Sequence, residues 1–293
     1  MKYRKFADTD IDLSTIGLGS MGMSFSYGEG NDKESIETLN YALELGINFW
    51  DTADIYGVGA NEELLSKVLV PNRDKIFLAT KFGFRTKDPN IGQVRNIPGD
   101  QMYIDGSAKH VKEAAEASLK RLGIDTIDLY YLHRVDPNIP IEETVGAMAA
   151  LVKEGKVRYL GLSEADPENI KRANAVHKIS ALQSEFSLLT REVEKEILPL
   201  TKELNMTFVP FSPLARGLMT NNLNVDEIDE KDFLYLNFDA EPRPTEEELL
   251  QMFANSKKDM KKSQNMEKRL EESPREEEKS NVPNFGTLEK LEN

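Results

Sequence analysis

The chain has 293 residues and a formal net charge of -14 at pH 7. This charge argues against nucleic acids and anionic membranes as partners, because both would repel the protein. The chain contains no cysteine, which excludes disulfides and thiolate metal sites and fits a reducing compartment. No apolar run approaches the ~20 residues of a membrane helix, and the first six residues lack the apolar core of a signal peptide. We therefore expect a cytoplasmic protein.

The first predicted elements are a hairpin and a strand. Residues 2–14 alternate in polarity around a turn at residues 8–10, which predicts a hairpin that covers the floor of a barrel. Residues 17–22 then spell G-x-G-x-x-G. That spacing occurs in dinucleotide-binding loops, but such a loop opens a helix directly, and here residues 25–30 intervene. We therefore interpret residues 15–22 as a first barrel strand whose glycines keep the central cavity open.

Helices and strands alternate along the rest of the chain. Asn31 and Ser107 are typical helix caps, and Gly46 and Gly123 are typical helix stops. The predicted helices cover residues 31–45, 61–69, 107–122, 141–153, 166–177 and 192–204. The predicted strands end at Asp51 or cover residues 76–81, 127–133, 157–162, 180–183 and 206–211, with an eighth near residues 281–283. This alternation with right-handed crossovers predicts one (β/α)8 TIM-barrel domain over residues 1–293, with an N-terminal β-hairpin.

Four polar side chains lie at the predicted carboxyl ends of three successive strands. Asp51 ends one strand and Tyr56 follows it in a turn, Lys81 ends the next, and His133 ends the third. Active sites of such barrels lie at this edge. A phenol titrates near pH ~10, so Tyr56 needs a neighbouring cation to act as an acid at neutral pH, and Lys81 is the candidate. Each residue alone is more often structural, but the ordered set on successive strands indicates catalysis.

A long loop over residues 82–106 leaves the strand that carries Lys81. Loops of that length in compact domains are usually functional or disordered, and we interpret this one as a substrate loop. Met23, Phe25 and Tyr27 indicate a partly apolar pocket beside it. The other two histidines, His110 and His177, lie on predicted helices and are expected at the surface. No clustered histidine or carboxylate pattern indicates a metal site.

These features resemble the aldo-keto reductase superfamily, and most of all its auxin-induced and perakine-reductase-like branch. The supporting segments are residues 133–137, 161–165, 183–186 and 211–217, and the resemblance covers residues 1–220. It implies an oxidoreductase acting on CH–OH groups, which reduces a small aldehyde or ketone to an alcohol with hydride from NAD(P)H. In that reading Tyr56 donates the proton, Lys81, oriented by Asp51, lowers the pKa of Tyr56, and His133 orients the carbonyl.

The resemblance also implies cofactor-binding residues. Ser163 and Gln183 would hold the nicotinamide carboxamide, with Glu164 beside them, and Phe211 would stack on the ring. Three further residues would line the pyrophosphate: Ser212, Leu214 and Arg216. Glu292 and Asn293 match the pair that contacts the adenine. The implied cofactor is NADPH, with NADH as the alternative.

The C-terminal part departs from the family pattern. Residues 221–281 are highly charged and hold no glycine, and we expect much of this segment to be poorly ordered or loosely packed without cofactor. Residues 282–293 look like a shortened form of the cofactor-phosphate segment. After Gly286 and Thr287, where the family places basic residues, this chain has Leu288 and Glu289. Two alternatives to a reductase therefore stay open: a non-catalytic or regulatory cofactor-binding protein on a reductase barrel, and a decayed reductase.

Overall fold

The computed structural model describes residues 1–25, 30–88, 90–94, 97, 101–217 and 219–220. The chain opens with an antiparallel hairpin of β1 (Tyr3–Lys5) and β2 (Asp12–Ser14). Phe6, in the hairpin turn, is fully buried and packs its ring 4.9 Å from that of Phe77. Because Phe77 begins a strand of the main sheet, the hairpin covers the amino-terminal end of that sheet, as predicted.

The main sheet consists of seven parallel strands that are neighbours in chain order. The remaining strands, numbered along the chain, are β3 (Leu18–Gly19), β4 (Phe49–Asp51), β5 (Phe77–Phe82), β6 (Phe84–Thr86), β7 (Met102–Ile104), β8 (Ile127–Leu132), β9 (Val157–Ser163), β10 (Ile179–Glu185) and β11 (Thr207–Phe211). β6 and β7 form a separate antiparallel pair, and the other seven make the sheet. β5 and β8 are buried at every position, which is typical of parallel strands covered on both faces.

Helices separate the strands of the sheet. They are α1 (Met21–Ser24), α2 (Asp32–Glu44), α3 (Ala60–Leu69), α4 (Ala108–Leu122), α5 (Ile141–Lys153), α6 (Pro167–Val176) and α7 (Ile197–Glu203). The predicted caps are confirmed: the Asn31 side chain accepts hydrogen bonds from the first turn of α2, and Ser107 does so for α4. Gly123 ends α4 in the left-handed conformation, at φ 67°, which glycine adopts without steric cost.

The strand and helix order confirms the predicted fold class, a (β/α)8-type barrel with an N-terminal hairpin. The predicted first strand appears as β3, and the short helix α1 follows it. The predicted eighth strand, near residues 281–283, lies outside the described residues, as does the whole segment 221–293. The described residues belong to one compact unit, Met1–Arg243. Among the described helices, none combines the length and apolar character needed to cross a membrane.

Three local predictions are wrong or incomplete. The helix predicted over residues 192–204 is a 3₁₀ turn at Glu192–Glu194 followed by α7. Pro199 explains the break, because proline lacks an N–H and its ring clashes with the carbonyl four residues earlier, so it fits only the first turn of a helix. The base of the predicted substrate loop is the β6–β7 hairpin rather than irregular chain.

His110 is the third case, because it is buried with 8% of its surface exposed. It shares the inner face of α4 with Ala114 and Ser118, at spacings of four residues that place side chains on one side of a helix. Its ring lies 6.1 Å from that of Phe82, and burial lowers its pKa. His177, also expected at the surface, is half-buried.

Candidate functional site

Three neighbouring strands bring the predicted catalytic residues to one edge of the sheet. β4 ends at Asp51, β5 carries Lys81 one residue before its end, and His133 directly follows β8. These strands are parallel and adjacent in this order, so their carboxyl ends meet. Tyr56 lies in the turn after β4, where its N–H donates to the carbonyl of Ala53 at 3.2 Å. The structure therefore brings all four predicted residues together.

The Lys81 ammonium lies at the centre of this group. Its Nζ donates to Oδ1 of Asp51, to the carbonyl of Thr52 at 2.8 Å and to the hydroxyl of Tyr56 at 3.4 Å. The side chain is 1% exposed, whereas that of Asp51 is 15% exposed. The other Asp51 oxygen accepts from Nε2 of Gln183 at 2.8 Å. The cation that the sequence predicted beside the phenol is thus within hydrogen-bonding distance of it.

Burial decides the charge states of this group. It raises the pKa of Tyr56 above 10.0, since it outweighs the lowering effect of Lys81, and Asp51 raises that pKa further. Lys81 thus lowers the pKa of Tyr56 as predicted, but the larger effect of burial makes the net shift upward. Burial also lowers the pKa of Lys81, but Asp51 and Tyr56 outweigh it and the pKa is raised. Burial, followed by the charges of Lys81 and Arg134, holds the pKa of His133 well below 6.5. At neutral pH the phenol and the imidazole are neutral and the ammonium is charged.

Aromatic rings enclose Tyr56 and His133. The Phe25 ring stacks on Tyr56 at a centroid distance of 5.8 Å, and the Phe84 ring meets His133 edge-on at 5.0 Å. The Tyr56 and His133 rings are nearly perpendicular, with centroids 5.9 Å apart. Ile97, within the predicted substrate loop, packs in the same cluster as Tyr56. The described part of the loop therefore lies beside these residues. Met23 packs instead in the cluster around Trp50, and Tyr27 lies outside the described residues.

The predicted nicotinamide residues lie on the next two strands. Ser163 ends β9 and is the register partner of Gln183 in β10. Gln183 donates to Asp51, as described above, which links these two strands to the Lys81 group. The Ser163 hydroxyl accepts from Nη1 of Arg134 at 3.1 Å. Glu164, which follows Ser163, is exposed and holds the left-handed conformation at φ 53°.

The predicted pyrophosphate residues form a strained turn after β11. Ser212 and Arg216 both have positive φ, at 50° and 54°, a conformation that costs non-glycine residues energy and concentrates at functional sites. Arg216 also donates from Nη2 to Oε2 of Glu185 at 3.0 Å. Leu214 is 55% exposed, and Phe211, the last residue of β11, is half-buried. The predicted adenine contacts, Glu292 and Asn293, lie outside the described residues.

These residues fit a nicotinamide cofactor chemically. Ser163 and Gln183 offer a hydroxyl and an amide, which suit hydrogen bonds to a carboxamide. Half-buried Phe211 offers an aromatic face. The turn after β11 offers backbone amides in left-handed conformations, which form concavities that bind anions such as phosphate. Among the described residues, no group of three or more His, Asp or Glu side chains is arranged to hold a metal ion.

A buried ionic cluster beneath the site was missed by the sequence analysis. Glu62 is fully buried and accepts from Nε of Arg121 at 2.7 Å and from the hydroxyl of Thr80, next to Lys81 in β5, at 2.6 Å. Gly59 makes room for the Arg121 side chain, because a Cβ atom at position 59 would lie 2.5 Å from the Arg121 side chain. A signal was available: Glu62 shares the apolar face of α3, three residues before Leu65.

Asp54 lies close to this cluster. The residue is half-buried overall, but its Oδ1 is buried and has no hydrogen-bond partner among the described residues. Burial, followed by the charge of Glu62, raises its pKa well above 3.8. The turn that carries Tyr56 thus contains a carboxyl that releases its proton at a higher pH than an ordinary aspartate.

Sequence comparison identifies related proteins. The model of the Aldo/keto reductase family matches residues 15–276. A curated relative, "Probable aldo-keto reductase 1" of Glycine max, is 47% identical over 216 residues, which are 73% of this chain and 59% of the relative. The chain therefore spans about three fifths of the length of that relative.

Solved structures with the same fold carry related descriptions. The holo form of an aldo-keto reductase from Bacillus halodurans matches with a TM-score of 0.67 and 35% identity, over 76% of this chain and 70% of that one. A glycerol dehydrogenase from Gluconobacter oxydans matches with a TM-score of 0.73 and 29% identity, over 86% of this chain and 76% of that one.

Proposed function

The chain belongs to the aldo/keto reductase family, and we propose that it reduces an aldehyde or ketone to an alcohol with Tyr56 as the proton donor. One observation carries the proposal: Nζ of the buried Lys81 lies 3.4 Å from the Tyr56 hydroxyl and also donates to Asp51. A buried cation beside a phenol stabilises the phenolate that is left when the proton departs.

The proposed chemistry divides between the cofactor and the protein. When bound, the reduced nicotinamide cofactor supplies the hydride that reduces the carbonyl carbon. The Tyr56 hydroxyl donates its proton to the carbonyl oxygen, and Lys81 stabilises the resulting phenolate until it regains a proton from water. Neutral His133 donates a hydrogen bond from its ring N–H to the same carbonyl oxygen and so fixes the substrate. Asp51 holds Lys81 in place and keeps it charged.

We assign the cofactor contacts from the same residues. Ser163 and Gln183 bind the carboxamide, and Phe211 packs on the nicotinamide ring. The remaining contacts are those of Ser212, Leu214 and Arg216 with the pyrophosphate, and of Glu292 and Asn293 with the adenine. The proposed cofactor is NADPH, with NADH as the competitor. The proposed substrates are small carbonyl compounds and the proposed compartment is the cytoplasm, a reducing environment that suits a sequence without cysteine.

Tyr56→Phe tests the proposal, because it removes the proton donor and keeps the ring. With NADPH and an aromatic aldehyde such as methyl 4-formylbenzoate, kcat should fall about 10²- to 10⁴-fold. The dissociation constant of NADPH, measured by calorimetry, should change little. Tyr41→Phe is the matched control, since Tyr41 is 60% exposed on α2, and it should keep full activity. Retention of most activity by Tyr56→Phe would remove Tyr56 from the mechanism.

A further inference from the structure

Arg134 places a positive charge at the edge of the candidate site. It follows His133 after β8 and is half-buried. One guanidinium nitrogen, Nη1, donates to the carbonyl of His133 at 2.6 Å and to the Ser163 hydroxyl at 3.1 Å. Because the two acceptors lie at the ends of neighbouring strands, β8 and β9, the two bonds fix the orientation of the guanidinium.

Among the described residues, the opposite edge of this guanidinium has no hydrogen-bond partner. Among the described residues, no hydrogen-bond acceptor binds Nε or Nη2 of Arg134, and no carboxylate oxygen lies within 4.0 Å of its nitrogens. Glu164 is the acidic group that interacts with Arg134 at longer range, but it is exposed, and its Oε1 already accepts from the N–H of Glu185 at 2.7 Å. Burial lowers the pKa of Arg134, as expected for a cation without a close counter-ion.

The guanidinium lies beside the aromatic rings that enclose Tyr56 and His133. The guanidinium carbon lies 6.0 Å from the centre of the Phe84 ring, and Phe84 meets His133 edge-on. The charges nearest the reacting groups are already balanced, because Asp51 pairs with Lys81 while Tyr56 and His133 are neutral. Arg134 is therefore the uncompensated charge beside an otherwise aromatic surface in the part of the chain that the structure describes.

We propose that Arg134 binds a carboxylate of the substrate, so that the preferred substrates are aldehydes or ketones that carry a carboxylate on an apolar or aromatic body. This inference rests on the proposed reductase function. Nε and Nη2 form the edge of a guanidinium that binds both oxygens of one carboxylate in parallel. Lysine offers a single point charge and would not replace this geometry. The aromatic rings of Phe25 and Phe84 suit the body of such a substrate.

The test compares two aldehydes that share one aromatic body and differ in charge: 4-formylbenzoate and its neutral methyl ester. The full chain with NADPH should show a higher kcat/KM for the acid. In Arg134→Met the ratio of acid to ester should fall about 10- to 100-fold, the range expected for hydrogen bonds to a charged group. Arg134→Lys should fall in between. Arg172→Met is the control, since Arg172 is an exposed residue of α6 paired with Glu142, and it should leave the ratio unchanged.

Two kinetic outcomes would overturn the inference. The parent protein could show no preference for the acid, or Arg134→Met could slow both aldehydes equally. In the second case Arg134 would act through Ser163 or His133 as a positioning residue. If no variant reduces either aldehyde, the proposed function fails, and calorimetric titration of 4-formylbenzoate onto the NADPH-treated protein decides this inference separately. Binding that weakens about 10-fold or more in Arg134→Met supports it, whereas equal binding or no binding rejects it.

Discussion

Replacing Lys81 by methionine probes the central contact of the site. Methionine has a similar length and is apolar, so it fills the same buried space while removing the ammonium. The change deletes the hydrogen bonds to Asp51, the Thr52 carbonyl and the Tyr56 hydroxyl. Asp51 keeps its bond from Gln183 and 15% of its side-chain exposure. The carboxylate is therefore not left wholly unpaired, and we expect the variant to fold.

The size of the effect follows from the distance between the two groups. Two unit charges 3.4 Å apart interact by about 5 kcal/mol at an effective dielectric constant of ~20. A proton that is about half transferred from Tyr56 in the transition state would draw on about half of this energy. That corresponds to a fall in kcat of about 10²-fold, and full transfer would correspond to a fall of more than 10³-fold. Both values lie within the range of general acid catalysis.

The assay is the pH dependence of carbonyl reduction with NADPH. Because Lys81 lowers the pKa of Tyr56, its removal raises that pKa. In the proposed mechanism reduction requires protonated Tyr56, so the alkaline limb of kcat/KM should move to higher pH while kcat falls at every pH. Lys67→Met is the matched control, since Lys67 is half exposed and pairs with exposed Asp32. A Lys81→Met protein that folds and keeps more than about a tenth of the parent kcat would refute the reasoning.

Three further predictions concern the cofactor and the buried carboxyl. Phe211→Ala should weaken nicotinamide cofactor binding by about 0.5–1.5 kcal/mol beyond the lost area; equal dissociation constants for the Ala and Tyr variants would place the ring elsewhere. Leu288→Lys with Glu289→Arg should lower the dissociation constant of NADPH more than that of NADH, because only NADPH carries the 2′-phosphate; equal gains would contradict this. Burial raises the pKa of Asp54 above 3.8, so the folded state loses stability as the pH rises from that value toward the raised pKa. In urea titrations, the free energy of unfolding of Asp54→Asn should therefore rise relative to that of the parent protein as the pH increases. A difference between the two proteins that does not change with pH would disprove the raised pKa of Asp54.

Local sequence signals account for most of the fold. Asn31, Ser107 and Gly123 act within one helical turn of themselves, so their roles could be predicted without knowledge of the tertiary structure. Pro199 was an equally local signal against a continuous helix, and the apolar periodicity of residues 192–204 concealed it. The β6–β7 hairpin could not be predicted from such local signals, because at least 15 residues separate its two strands. No local pattern in this loop specifies that pairing.

Buried charges were the hardest features to predict because their partners lie far apart in sequence. Glu62 and Arg121 are 59 residues apart, and each alone is typical of a solvated helix surface. Burying either one unpaired would cost several kcal/mol, so the pair forms only where α3 and α4 pack together. A charged residue on an apolar helical face is therefore a usable signal for a buried partner, although it does not identify that partner.

The sequence predicts which strand-end residues meet at the candidate site, but it does not predict the pKa of Tyr56. Parallel strands align their carboxyl ends, so residues at the ends of successive strands must meet, and the sequence alone therefore predicts that Asp51, Lys81 and His133 lie together. The net pKa of Tyr56 depends instead on how completely water is excluded from it. Phe25, 31 residues away along the chain, contributes to that exclusion by stacking on the ring. Because this burial outweighs Lys81, the lysine beside Tyr56 does not by itself reveal how strongly the phenol holds its proton, and the sequence therefore predicts the contact but not the net direction of the pKa shift.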